Sequence, residues 1–218
     1  MSQIIHTIKI HPLQNRVDPC GQLIRTSARG AWMGNRGMIH NEHQQIIRPF
    51  RLKAWITCLL EFKGRHREVM TPNLYTELFF LDEATAFSAG HRPCAECRRA
   101  DFNRFKAAWI LGNPLYMYNL KTPIGEVDEI LHRERMNLNG SKSTYREILR
   151  ELPEGSFIEY NGKPYMISHS NRVIGWTPFG YTDFIKIPLT TEVDVLTPKS
   201  IVNTFRAGYL PQIHASAR

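Results

Sequence analysis

An α+β fold is what this sequence predicts, and three observations predict it. Strand-like runs and helical stretches alternate irregularly through the first half. A tight-turn dipeptide, Asn161-Gly162, separates two short apolar runs in the last third. Between a strand-like run and a basic helical stretch stands a C-x-x-C pair, Cys94 and Cys97. Together they predict a strand/helix unit around the cysteine pair in the N-terminal half, packed on helices and a C-terminal antiparallel sheet. Residues 1–112 form a basic region carrying the cysteine pair and residues 113–218 a helical connection and sheet, as two tightly packed halves or as one unit.

Early in the chain, the three glycines of residues 29–37 mark an ordered loop, because glycine tolerates positive φ and close backbone approach. Residues 51–62 read as a strand that turns apolar along its length, ended by Gly64, and residues 78–81 as a second, buried strand. Asp82 suits the N-cap of a short helix through Ala89, with Gly90 just beyond its end. Residues 95–111 read as a helix, with Phe102, Phe105, Ala108 and Trp109 on one stripe. Residues 115–152 look mainly helical, broken at 123–125 and 137–143, with the second helix at 144–152. Residues 156–160 and 164–168 flank Asn161-Gly162 as a hairpin. Further strands are expected near 172–176, 184–187 and 193–196. Thr197-Pro198 then opens a last helix to Ala207.

The 218 residues are 42% hydrophobic and 22% charged, as in ordinary globular proteins. No apolar run approaches the length of a membrane span. The first residues lack a basic segment followed by an apolar one, so no secretory signal is expected. Four cysteines in such a chain point to reduced thiols or metal ligands and to a cytoplasmic location. Charge is uneven: residues 1–110 hold 16 Lys and Arg against 9 Asp and Glu, and residues 111–218 hold 12 against 11. A positive surface attracts polyanions, which makes nucleic acid the natural partner, with Arg65, Arg92, Arg98 and Arg99 as the first phosphate contacts.

C-x-x-C spacing lets both sulfurs reach one tetrahedral ion, and zinc is the usual occupant. Cys94 and Cys97 supply two ligands. Cys58 lies in a separate strand that pairing could bring alongside, although a cysteine inside an apolar strand is commonly a small buried hydrophobe. His66 follows in a basic turn and could supply nitrogen; Cys20, in a turn, is the weakest candidate. The redox alternative, a thiol activated at a helix start, lacks the surrounding βαβ pattern. Trp176, Tyr181 and Phe184 could stack on bases, yet in a half-buried sheet such rings are more often core.

The run Phe79-Phe80-Leu81-Asp82-Glu83-Ala84-Thr85-Ala86-Phe87-Ser88-Ala89-Gly90-His91-Arg92-Pro93-Cys94-Ala95-Glu96-Cys97 resembles the second half of the zinc-binding domain of the Ada DNA-repair family. That resemblance implies a strand, a short alanine-rich helix, and Cys94 and Cys97 as the last two of four zinc-bound thiolates. It also implies contact between basic residues and a DNA backbone. The family's first pair, C-x-x-x-C, has no counterpart here; Cys58 with His66 could replace it only at changed spacing. Two other readings follow from the residues. One is an enzyme, a thiol-dependent transferase or hydrolase with its site between the cysteine motif and the C-terminal sheet. The other is a metal-free interaction module.

Overall fold

The computed structural model describes residues 12–64 and 68–217 and has the α+β architecture predicted. The first sheet is built from short strands: β1 (Gln14–Val17), β2 (Leu23–Arg25), β3 (Trp32–Asn35), β4 (Ile56–Cys58), β5 (Leu78–Phe80) and, after helix α1 (Glu83–Ser88), β6 (Arg92–Pro93). Its order is β2-β1-β5-β3-β4-β6, antiparallel except for the parallel pairs β1–β5 and β4–β6. The glycine-rich loop expected over residues 29–37 contains β3, a central strand. Gly34 is required there because a Cβ on it would collide with the Ile56 carbonyl oxygen. Of the long strand expected over 51–62, only residues 56–58 form a strand.

The α1 expectation holds in detail. The Asp82 carboxylate accepts the Thr85 amide at 2.8 Å. That bond closes one orphan donor of the first turn. Gly90 follows the helix end at φ +85°. Helix α2 (Arg99–Gly112) starts four residues later than predicted, because residues 95–98 form a turn around the cysteine pair. Helix α3 (Ile124–Arg135) follows, with His132, Arg133 and Arg135 in its last turn, where cations suit the helix dipole.

The second sheet comprises β7 (Tyr145–Ile148), β8 (Phe157–Tyr160), β9 (Lys163–Ile167), β10 (Val173–Thr177), β11 (Gly180–Ile185) and β12 (Glu192–Val195), all antiparallel in the order β11-β10-β9-β8-β12-β7. In the hairpin turn, φ is 50° at Asn161 and 72° at Gly162. Positive φ at both central residues is what a two-residue turn of this hand demands. One expectation fails here: residues 144–152 are β7 and a 3-10 turn, not a helix. Tyr145 and Ile148 favour strand on a half-buried surface, and β12 supplies the ladder, so pairing overrides the helical reading. Helix α4 (Lys199–Arg206) begins after Pro198, and the Thr197 hydroxyl accepts the Phe157 amide at 2.8 Å instead of capping it.

The layers share their cores. Phe87 of α1, Phe105 and Trp109 of α2, Ile130 and Leu131 of α3, and Ile201 and Phe205 of α4 form one cluster. Leu81 and Ala84 pack with Phe157, Met166, Ile174 and Tyr181 of the second sheet. Trp176 donates to the Thr85 hydroxyl and Tyr181 to Asp82, so these rings join the two halves. Phe184 is exposed, with the Arg172 guanidinium 4.9 Å from its ring. No helix among the described residues is long and apolar enough to cross a membrane.

Candidate metal centre

Strand alternation decides which side chains meet on the first sheet. Successive residues point to opposite faces, so Met33 and Asn35 of β3, Ile56 and Cys58 of β4, and Phe79 of β5 share one face. All five line a cavity of about 470 Å³. On β4, Thr57 and the preceding Trp55 are buried.

β6 lies parallel to β4, with Ile56 beside Arg92 and Thr57 beside Pro93. The next step in that register sets Cys58 beside Cys94, and the Cys94 amide donates to the Thr57 carbonyl at 2.9 Å. The turn that follows returns Cys97 to the same place. The ligand atoms of Cys58, Cys94 and Cys97 all lie within 4.8 Å of one another, and all three cysteines line the cavity. Tetrahedral zinc with sulfur at about 2.3 Å sets its sulfurs about 3.8 Å apart, so this trio fits the ion with little contraction. Cys20 lies outside the cluster, its thiol pushed up to about 11 by burial.

The electrostatics suit thiolate ligands. Cys58 and Cys94 are buried and Cys97 half-buried. Hydrogen bonding to Cys94 and Cys97 pushes the Cys58 thiol far up, so it keeps its proton. The same hydrogen bond brings Cys94 down to about 5, against burial and with help from the amides of Cys97 and Glu96. The Glu96 amide stands 3.3 Å from the Cys94 sulfur. Cys97 is also lowered, first by Cys58 and then, against burial, by the Leu59 amide. Backbone N–H groups aimed at sulfur favour the anionic form, and a divalent cation would replace the proton that Cys58 retains. Soft thiolate donors select zinc or another thiophilic ion over magnesium or calcium.

The buried arginines near this turn have structural roles. Arg92 forms a two-pronged pair with Asp128 of α3, Nε to Oδ1 at 2.8 Å and Nη2 to Oδ2 at 2.7 Å, both groups almost fully buried. Arg98 donates to Glu83 and to Asp101, and its guanidinium lies 4.0 Å from the Trp32 ring. Glu83 also accepts the Tyr209 hydroxyl at 2.9 Å and the Gln212 amide at 2.9 Å. Asp82 accepts Tyr181 at 2.7 Å and the His214 amide at 3.0 Å. These bonds clamp the start of α1, the start of α2 and the C-terminal segment together, and thereby fix the cysteine turn between them.

The expectation that Arg92 and Arg98 contact phosphate is therefore corrected: each is buried and committed to carboxylates. Charge-based reasoning could not foresee this, because the partner carboxylates come from α1, α2 and α3. Arg99, one position on, is exposed. Arg65 and His66 lie outside the described residues. The cavity that would have favoured an enzyme reaches Cys58 and β3 but not Tyr181, which is buried in the second core. Sequence reading missed the cavity itself; the alternation of Met33 with Asn35 and of Ile56 with Cys58 was the available signal. No family model, curated protein or solved structure matches this chain.

Proposed function

We propose that the protein binds zinc through the thiolates of Cys58, Cys94 and Cys97, and that the ion forms part of the wall of the adjoining cavity. The observation that carries this reading is the meeting of three sulfurs from two paired strands and one turn within 4.8 Å. Three protein ligands leave one tetrahedral position for a further donor. His66 is the candidate that the sequence offers, and water or a small ligand in the cavity is the other. The Ada-type resemblance adds support at Cys94 and Cys97; in place of that family's first cysteine pair stands Cys58. Reduced thiolate ligands suit the cytoplasm. Elemental analysis of the purified protein is expected to give one zinc per chain, kept in His66→Ala if the fourth position is open and diminished if it is not. Protein free of zinc and of any other thiophilic metal overturns the proposal.

A second reading concerns the partner. The excess of positive charge in residues 1–110 favours a nucleic-acid backbone, probed through exposed groups such as Arg99, Arg29, Arg51 and Lys63. Affinity for duplex DNA is expected to fall steeply as salt rises, and Arg99→Gln to reduce the slope of log affinity against log salt by about one. Binding indifferent to salt between about 50 and 200 mM removes this reading.

A further inference from the structure

The opposite face of the first sheet carries a second cavity, of about 460 Å³, whose wall includes Trp55, Arg36, Arg135 and Lys142. Arg36 follows β3, Arg135 ends α3, and Lys142 comes from the loop before β7. Both guanidinium groups stack on the Trp55 ring, each with Cζ 3.8 Å from its centroid. Arg36 and Arg135 are each only 2% exposed.

What these cations lack, among the described residues, is a directly bonded carboxylate; Asp18, Asp128 and Glu129 offset their charge only through space. Arg36 donates Nη1 to the Gly21 carbonyl at 3.0 Å and Nε to His91 at 3.3 Å, while Nη2 is buried without a partner. Arg135 donates Nη1 to the Gly90 carbonyl at 2.9 Å and Nη2 to the Lys53 carbonyl at 2.7 Å, and its Nε is likewise without a partner. Lys142 donates to the Ser88 carbonyl at 2.6 Å. The carboxylates in their vicinity are engaged elsewhere. Asp18 accepts the Gln22 amide at 2.8 Å, Asp128 pairs with Arg92, and Glu129 pairs with Lys53 at 2.7 Å. Residues 1–11, 65–67 and 218 contain no Asp or Glu.

Three cations of one wall, no ion pair among the described residues and a cavity beside them describe a site that lacks an anion. Buried charges are ordinarily paired, and planar guanidinium groups match phosphate oxygens. We infer that this cavity binds a small phosphate-bearing anion, a free phosphate or a phosphate monoester, with Lys142, Arg36 and Arg135 neutralising its charge. Its volume exceeds what a phosphate alone needs, and Gln22 and Ser141 add neutral hydrogen-bonding groups to the wall. Burial lowers Arg36 to about 9 against the pull of Asp18, and burial with repulsion from neighbouring arginines lowers Arg135 to about 8 and Lys142 to about 7, a penalty that a bound anion relieves. The inference is independent of zinc, whose proposed site lies across the sheet.

Calorimetric titration of the full chain with inorganic phosphate, and separately with glycerol 3-phosphate, tests it at low ionic strength. Saturable binding is expected, weakened about tenfold or more in Lys142→Met and in Arg36→Met and unchanged in a variant of an exposed cation of the second sheet, Lys163→Gln. Because Arg36 also braces the fold, Lys142→Met carries the decision, with its folding checked by circular dichroism and its metal content measured. Tighter binding of the ester identifies an esterified ligand and tighter binding of phosphate the free ion; both support the site. No saturable binding up to about 10 mM, or equal affinity in the wild type and Lys142→Met, overturns it.

Discussion

Cys58→Ser is expected to abolish stoichiometric zinc and to lower the melting temperature by about 5–11 °C. A ligand present at about a hundred times its Kd stabilises the native state by about 2.7 kcal/mol. For chains of roughly 150–250 residues each kcal/mol moves the midpoint by about 2–4 °C. The strand pair that carries Cys58 and Cys94 also borders the buried core, so losing the ion is felt beyond the turn. Cys94→Ala is expected to behave alike. Cys20→Ser, outside the cluster, is expected to keep both metal and midpoint. Metal content by elemental analysis and calorimetric melting are the readouts. Unchanged metal in Cys58→Ser would remove that residue from the site and leave only a two-sulfur turn.

The second large effect belongs to the Arg92–Asp128 pair. Asp128→Asn leaves a guanidinium uncompensated in the interior, and breaking such a pair on one side costs about 3–5 kcal/mol. The double variant Arg92→Met, Asp128→Leu removes both charges and is expected to recover most of that loss, since an apolar pair of similar volume is often as stable. Urea denaturation of the wild type, Arg92→Met, Asp128→Leu and the double variant measures the cycle. Single variants that lose under about 1 kcal/mol would show that this pair is not what anchors the strand. Arg92 immediately precedes Pro93 and Cys94, so Asp128→Asn is also expected to weaken metal retention, linking α3 to the cysteine turn.

The local parts of this fold were legible in the sequence. Asp82 and Gly90 bracket α1, and Asn161-Gly162 sets its hairpin, because caps and tight turns are fixed by a few residues and their immediate neighbours. Cys94 and Cys97 were legible for the same reason: their spacing is itself the geometry. Parts decided at a distance were not. Tyr145 and Ile148 became β7 through pairing with the remote strand β12. Arg92 and Arg98 looked like surface charge because nothing local reveals Asp128, Glu83 or Tyr209 as their surroundings. Cys58 stood between: the expectation that strand pairing could bring it beside Cys94 matches the β4–β6 register. The cations around Trp55 drew no attention, since Arg36, Arg135 and Lys142 converge only through tertiary packing.

The clamp at Asp82 and Glu83 has a consequence for how the chain is made. Tyr209, Gln212 and His214 reach these two acids across 126, 129 and 132 positions of sequence. Contacts so remote are slow to form, because a long loop must close before they yield any stabilisation. At about 5–20 residues per second, a ribosome needs roughly 6–26 s to deliver them after the acids emerge. Throughout that interval Arg98, only fifteen residues on, is the partner within reach of Glu83. The nascent protein can therefore assemble its cysteine turn well before its tail arrives to lock it.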